Sequence, residues 1–187
     1  MTIPFIKRAY FYVILLSLVC APLYAQIKED RYGNKYYYDK IDKNINNLRV
    51  LFVSDPHGNT YKISQLVGYK NDIEKKHPED ATLLLWGGDE PKGYPIWGFR
   101  KNEIGYSLWA KHAYAAVIGN HDLIHYPLDN IDRLIEKKGL QFIATNISSV
   151  NNKDTKKKVY PYPRYKIVEL ADGKKILILG MVTQSIN

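Results

Sequence analysis

The chain has 187 residues, which is enough for one domain with its own hydrophobic core and too few for two of ordinary size. It carries 27 Lys and Arg residues against 19 Asp and Glu residues, a formal net charge of +8. A basic protein attracts phosphorylated ligands, nucleic acid and anionic membranes alike, so the charge alone selects none of these partners. The single cysteine, Cys20, excludes a scaffold held together by internal disulfides.

The first 25 residues have the organisation of a secretory signal peptide. Lys7 and Arg8 precede an apolar run over residues 9–19, and small residues follow as far as Ala25. Because the run is shorter than the roughly 20 apolar residues of a spanning helix, we favour cleavage near Ala25 over an uncleaved anchor. Cys20 follows a branched valine, which argues against lipid attachment. We therefore expect a periplasmic or secreted protein with no stable membrane anchor.

The rest of the chain alternates between candidate strands and candidate helices, after an extended lead-in segment over residues 26–47. Five apolar runs rich in β-branched residues have the length and character of buried strands: 49–54, 81–86, 115–118, 140–145 and 175–182. Apolar residues at helical spacing separate the first four runs, over 63–73, 104–109 and 128–135. A further strand over 164–170 is predicted to form a hairpin with the last run across residues 171–173. The pattern predicts an α/β layered domain.

A lysine-rich stretch near residue 155 contributes much of the positive charge. Lys153 and the lysines at 156–158 follow Asn151 and Asn152 in a polar context, which is typical of a solvated loop. Because no aromatic residue stands between these lysines, the stretch lacks the stacking surface of a single-strand binding protein. We expect no specific nucleic-acid binding.

The first chemically distinctive motif, Asp55-Pro56-His57, comes directly after the first predicted strand. In an extended segment, side chains two residues apart point to the same side, so Asp55 and His57 could share a divalent ion. Gly58 behind them would allow close approach of a ligand to the backbone. Taken alone, the motif is a weak signal, and ordinary loop residues are the more frequent explanation of it.

Two more motifs follow the next two strands. Gly87-Gly88-Asp89 offers a sharp exit from the strand and a carboxylate that could bridge two cations, although a structural turn would explain it as well. Gly119-Asn120-His121-Asp122 offers an amide oxygen, an imidazole and a nearby acid. Since the carboxyl ends of strands in an open α/β sheet face one crevice, the three loops are expected to converge there.

The three motifs in this order resemble the calcineurin-like metallophosphoesterases, and more narrowly the secreted 5′-nucleotidase and UDP-sugar hydrolase group. Two flanking segments add to the resemblance, one over 142–147 with its Ala-x-Asn ending and one over 173–183. The resemblance covers residues 48 to about 184. It implies the N-terminal portion of a two-sheet sandwich flanked by helices, with a βαβαβ start.

The resemblance also implies roles for the motif residues and a pair of divalent metal ions, which could be Zn, Mn, Fe or Mg. Asp55 and His57 would bind the first ion, Asp89 would bridge both, and Asn120 would bind the second. His121, with Asp122 beside it as a second catalytic candidate, would contact the phosphate. The nucleophile implied is a water activated by the two cations.

The sequence departs from the family pattern in its later part. The family completes its metal sites with three further histidines, whereas the five histidines here lie at positions 57, 77, 112, 121 and 125. The second metal site would then have only Asp89 and Asn120. Ile124 occupies the position of the aspartate that orients the motif histidine, so that Asp122 or His125 would have to take over this task. We therefore expect residues 48–187 to be a truncated domain without the substrate-specificity domain, leaving apolar sheet surface exposed.

These observations predict a metal-dependent phosphoesterase that acts on nucleotides or related phosphate esters. The alternatives are a catalytically inactive remnant that folds in part and a module that binds anions or a metal without turnover. No residue pattern distinguishes mononucleotides, cyclic nucleotides and nucleotide sugars as substrates.

Overall fold

The computed structural model describes residues 25–90, 98–125, 128–150, 158–159 and 161–182. Its helices are α1 (Thr60–Lys76), α2 (Gly98–His112), α3 (Asn120–His125) and α4 (Leu128–Lys138). Its strands are β1 (Gln26–Glu29), β2 (Lys35–Ile41), β3 (Leu48–Val53), β4 (Ala81–Trp86), β5 (Ala115–Ala116), β6 (Ser149–Val150), β7 (Lys158–Val159), β8 (Tyr165–Leu170) and β9 (Lys175–Leu179). The predicted signal peptide, except Ala25, and residues 151–157 of the polar stretch lie outside this part of the chain.

A parallel sheet in the order β3-β4-β5 positions the three motifs. Val53 pairs with Trp86, and Trp86 pairs with Ala116, so the three strands end at the same level. Leu84 and Trp86 pack with Ile63 of α1 and Trp109 of α2 in the main hydrophobic cluster. The helices that connect the strands therefore cover one face of this sheet.

Helix α1 begins and ends where the sequence supplies capping groups. The Asn59 side chain accepts a hydrogen bond of 3.2 Å from the peptide nitrogen of Lys62. Lys75 and Lys76 occupy the last turn, where positive charge interacts favourably with the helix dipole. Pro78 lies two residues beyond the helix and disfavours its continuation.

A second sheet, in the order β1-β2-β8-β9, packs on the other face of the parallel sheet. Tyr37 of β2 contributes to a second hydrophobic cluster with Ala115 and Ile143, and Ile178 of β9 packs against it. The predicted hairpin of β8 and β9 is present, with Gly173 in the turn at a φ of +81°. The segment expected as a lead-in thus contains two strands of this sheet, and β2 pairs in parallel with β8.

The prediction of a strand over residues 140–145 is wrong, because only an isolated bridge between Ala116 and Phe142 forms there. The backbone of this buried run makes its hydrogen bonds to several different segments. The peptide nitrogen of Ile143 donates to Ala116, that of Ala144 to Pro163, and that of Thr145 to Gly180. Because these three nitrogens bond to three different segments, the run cannot form a continuous ladder with one neighbouring strand.

The α/β fold class is confirmed: a parallel sheet with flanking helices forms one layer and the mixed sheet forms the next. Apolar side chains nevertheless stand exposed on two strands, namely Val50 and Phe52 on β3 and Leu177 and Leu179 on β9. Among the described residues, no helix combines the length and apolar character needed to cross a membrane.

Candidate metal centre at the strand ends

The loops that leave β3 and β4 hydrogen-bond to each other through their backbones, and the loop that leaves β5 joins them through the Asp89 carboxylate. The peptide nitrogen of Asp55 donates to the carbonyl oxygen of Gly88 at 3.1 Å. The peptide nitrogen of His57 donates to the carbonyl oxygen of Asp89, also at 3.1 Å. Because the three strands are parallel and in register, the predicted convergence of the motifs is present in the structure.

Three residues of these loops have a left-handed backbone. Asp55, His57 and Asp89 have φ angles of 55°, 49° and 60°, and within the described residues no other side-chain-bearing residue has a positive φ. Such conformations cost free energy for residues with a Cβ and persist only where the surroundings enforce them. All three residues were singled out from the sequence as candidate metal ligands, so the strained backbone coincides with the predicted site.

The side chains of His57, Asp89 and His121 form the compact ligand group. One potential ligand atom from each lies within 4.8 Å of the others. The rings of His57 and His121 meet edge to face, with centroids 5.1 Å apart. Two imidazoles and a carboxylate match the donor preferences of divalent ions such as zinc, manganese and iron. The residues at the strand ends therefore suit a metal ion.

Asp55 lies at the margin of this group, and Asn120 precedes His121 at the start of α3. Oδ1 of Asp55 is 3.7 Å from Nε2 of His57, and the Asp55 side chain is 58% exposed. A hydrogen bond from Ser54 is the largest cause that lowers the pKa of Asp55, and it outweighs the opposing effect of burial. Asn120 is half-buried at the first position of α3. The resemblance assigns His121 to the phosphate. In the structure, His121 instead groups with His57 and Asp89 as a potential metal ligand.

Two glycines allow Asp89 to reach this position. Gly88 has a φ of +90°, and a Cβ there would lie 2.2 Å from the peptide nitrogen of Gly119. A Cβ on Gly119 would lie 2.0 Å from Oδ1 of Asp89. The second and third motifs therefore touch through backbone atoms, which only glycine permits at these two positions.

Asp122 lies in the interior, where its carboxylate accepts hydrogen bonds from both loops. Oδ2 accepts from the peptide nitrogens of Asp89 and Gly119, each at 2.8 Å. Oδ1 accepts from the peptide nitrogen of Glu90 at 3.3 Å and from the Tyr106 hydroxyl. Burial raises the pKa of Asp122, and these hydrogen bonds oppose the rise. The predicted catalytic acid is thus bonded chiefly to the protein backbone.

Glu90 is a buried acid that the sequence reasoning missed. It has no exposed surface, and Trp109 Nε1 donates to its Oε2 at 2.7 Å. Burial raises the pKa of Glu90 to about 8, and the nearby charge of Asp122 adds to the rise. Oε1 has no hydrogen-bond partner within the part of the chain that the structure describes. The sequence signal that could have identified Glu90 is its position directly after the Gly87-Gly88-Asp89 motif.

Ile124, in the position of the expected orienting aspartate, has a 50% exposed side chain. His125 ends α3, and its side chain is outside the described part of the chain. Position 124 therefore supplies no carboxylate that could orient the His121 ring.

A second group of potential ligands, His77, Glu79 and Asp80, lies before β4, at the opposite end of the sheet. Both carboxylate oxygens of Asp80 already accept hydrogen bonds from the protein. Oδ1 accepts from Asn47, and Oδ2 accepts from Arg49. The ion pair between Arg49 and Asp80 measures 2.7 Å. We therefore interpret Asp80 as the centre of a structural ion pair.

Comparison with protein families gives one match that includes all three motifs. The model of the calcineurin-like phosphoesterase family matches residues 48–181. The match specifies the family and no subgroup within it. Comparison with curated proteins gives no match.

Proposed function

This chain belongs to the calcineurin-like phosphoesterase family, and we propose that it hydrolyses phosphate esters of nucleotides at the ends of β3, β4 and β5. The observation that carries the proposal is the convergence of His57, Asp89 and His121, whose ligand atoms lie within 4.8 Å of one another. Three residues from three separate loops, each beside a glycine-dependent or strained backbone, indicate a site held in place for a ligand.

Each residue of the site would have its own role. His57 and Asp89, with Asp55 beside them, would hold one divalent ion, and Asn120 would extend the site toward a second. Bound divalent ions would polarise phosphoryl oxygens and lower the pKa of water. His121 would bind the phosphate group or the ion next to it, because its ring stands against that of His57. Asp122 would keep the second and third loops together.

The choice of nucleotides rests on two segments that resemble the 5′-nucleotidase and UDP-sugar hydrolase group. The described residues of these segments, 142–147 and 173–182, are neighbours in the fold. Asn146 Nδ2 donates to the carbonyl oxygen of Val182 at 2.7 Å, and the peptide nitrogen of Val182 donates back to Asn146 Oδ1 at 2.9 Å. Their pairing supports a common origin with that group, and nucleotides are the substrates we propose on that basis.

We also propose that the protein works in the periplasm or outside the cell. The basic, apolar and small-residue order of residues 1–25 supports secretion. Nucleotide hydrolysis in such a compartment would release phosphate and nucleosides from external material.

A second candidate function is metal or anion binding without turnover. The observation that favours it is that, among the described residues, one compact ligand group forms at the strand ends, from His57, Asp89 and His121. The second metal position would then depend on Asp89 and Asn120, and a site with two ligands should hold an ion weakly.

The test is hydrolysis by the purified protein of AMP, UDP-glucose and bis(p-nitrophenyl) phosphate with Mn²⁺ or Zn²⁺ added. We expect turnover that requires the metal and is lost in Asp89→Ala. Activity no higher than that of the Asp89→Ala variant would contradict the proposal. Saturable Mn²⁺ binding without turnover would favour the second candidate function.

A further inference from the structure

Two aromatic residues of α2 reach the metal loops from the protein interior. Tyr106 and Trp109 are three positions apart, so they lie on the same face of the helix. The Tyr106 hydroxyl donates to Oδ1 of Asp122, and Trp109 Nε1 donates to Oε2 of Glu90 at 2.7 Å. Both aromatic side chains are buried. One helix face thus holds both acids that lie behind the metal loops.

The two acids connect this helix to the backbone of Asp89. Asp122 accepts hydrogen bonds from the peptide nitrogens of Asp89 and Glu90, which lie on either side of the Asp89 α-carbon. Glu90 packs so closely on α2 that a Cβ on Gly105 would lie 1.6 Å from its Oε1. The loop therefore touches the helix with no space between them.

The backbone of Asp89 needs such support. Its φ of 60° is unfavourable for a residue with a Cβ. A left-handed residue flanked by two hydrogen-bonded peptide nitrogens cannot relax unless those bonds break. The same backbone sets the direction of the Asp89 carboxylate, whose Oδ1 also accepts from the peptide nitrogen of His121 at 2.9 Å.

We propose that Tyr106 and Trp109 are positioning residues for the metal centre. Acting through Asp122 and Glu90, they keep Asp89 in the strained conformation that directs its carboxylate toward His57 and His121. This inference rests on the proposed function, since the direction of the carboxylate matters only where a metal binds. It assigns a role in the site to α2, which contributes none of the three ligands that converge at the strand ends.

The alternative is that Tyr106 and Trp109 are ordinary core residues. Both contact Trp86 in the main cluster: Tyr106 meets its ring edge to face at a centroid distance of 5.6 Å, and Trp109 stacks on it at 5.1 Å. An ordinary core role predicts that their polar atoms affect stability alone. A positioning role predicts that removing those atoms weakens metal binding by the folded protein.

The experiment compares Tyr106→Phe with Tyr114→Phe in the full protein. Each substitution removes a phenol hydroxyl that donates to a carboxylate, and Tyr114 bonds at 2.6 Å to Asp39, which is not part of the metal site. Mn²⁺ affinity is measured by electron paramagnetic resonance under native conditions, and stability by urea unfolding. Trp109→Phe is a second variant, because it keeps an aromatic ring and removes the N–H that bonds to Glu90.

We expect Tyr106→Phe and Trp109→Phe to weaken Mn²⁺ binding by roughly 10-fold, as is usual when a group behind a metal ligand is removed. Tyr114→Phe should lose stability and keep the wild-type Mn²⁺ affinity. Where turnover is measurable, kcat should fall in the first two variants with KM nearly constant.

Wild-type Mn²⁺ affinity in both Tyr106→Phe and Trp109→Phe would overturn the positioning role and leave the proposed function intact. Equal losses of affinity in Tyr106→Phe and Tyr114→Phe would also overturn it, since they would show a general effect of destabilisation. A wild-type protein that binds no Mn²⁺ would overturn the proposed function, and the positioning role with it.

Discussion

The peptide nitrogen of His121 donates a hydrogen bond of 2.9 Å to Oδ1 of Asp89. The third motif thus holds the carboxylate of the second through its backbone, and the His121 imidazole meets the ring of His57 edge to face. Because the backbone donor survives any substitution except proline, a change of the His121 side chain tests the imidazole by itself.

Replacing the imidazole should reduce turnover and spare the fold. We expect His121→Gln to lower kcat for a nucleotide or an artificial phosphodiester by at least about 100-fold, the usual effect of losing a group that acts on the reacting atoms. His112→Gln is the matched control, because His112 lies at the end of α2, at the opposite end of the sheet. Steady-state kinetics with Mn²⁺ measure both variants. Equal kcat values for the two variants would refute the assignment.

A methyl group at Gly119 should displace Asp89. The new Cβ would lie 2.0 Å from Oδ1 of Asp89 and 2.6 Å from its peptide nitrogen, and backbone atoms cannot move aside easily. We expect Gly119→Ala to weaken Mn²⁺ binding by 10-fold or more (about the effect of disturbing the support of a ligand). Isothermal titration calorimetry measures the affinity.

Gly68→Ala is the control for this change. Gly68 lies within α1 with nothing within 4 Å of the added Cβ, so alanine should stabilise the helix by up to about 1 kcal/mol. Mn²⁺ affinity should be unchanged in Gly68→Ala. Unchanged affinity in Gly119→Ala would show that the two loops do not depend on their close contact.

Mildly alkaline pH should stabilise the protein through Lys166. This side chain is fully buried beside Asp39, the carbonyl oxygen of Tyr114 and the Gln141 side chain. Burial lowers the pKa of Lys166 to about 8, against the attraction of Asp39, whereas an unfolded lysine has a pKa of about 10.4. Between these values the unfolded chain binds more protons at this position than the native chain. The free energy of unfolding should therefore rise with pH, by roughly 1 kcal/mol per pH unit between about pH 8 and 9.

Urea unfolding at a series of pH values up to about 9 tests this expectation. Burial raises the pKa of Tyr37, the strand neighbour of Lys166, to about 12, and it also raises the pKa values of Tyr114 and Tyr165. Because an unfolded tyrosine ionises near about pH 10, these groups oppose the trend only above the tested range. The Lys166→Met variant should lose the rise in stability. A slope that persists in Lys166→Met would assign the effect to another group.

The exposed leucines of β9 should promote self-association. Leu177 and Leu179 point away from the other sheet and are more than half exposed, at 59% and 53%. We expect the double substitution Leu177→Thr and Leu179→Thr to reduce concentration-dependent association in sedimentation velocity, with a stability change within about 0.5 kcal/mol.

Ile178, which lies between the two leucines on β9 and faces inward, is the control for these substitutions. Ile178 packs against the second hydrophobic cluster, so Ile178→Thr should destabilise the fold by about 1 to 3 kcal/mol. Association that is unchanged in the double variant would show that the β9 leucines contribute nothing to it.

The strands and helices that position the site could largely be predicted from local pattern. The prediction for β4 matches its observed bounds, because a continuous apolar run of six residues between polar segments suits a buried parallel strand. The run at 140–145 has the same apolar character and forms no strand. Its hydrogen-bond partners lie in three different segments, and no local pattern specifies such a distribution.

The sequence by itself determined the three motifs, their order along the chain and the expectation that they meet where parallel strands end. Those properties follow from residue type and from the alternation of strand and helix. The tertiary structure decided which side chains come together: His121 joins His57 and Asp89, while Asp122 turns inward to the backbone. It also placed residues 26–41 in a sheet, where Tyr38 bonds to Glu169, 131 positions along the chain. Contacts over such separations depend on how the layers pack, and a linear pattern carries no record of that packing.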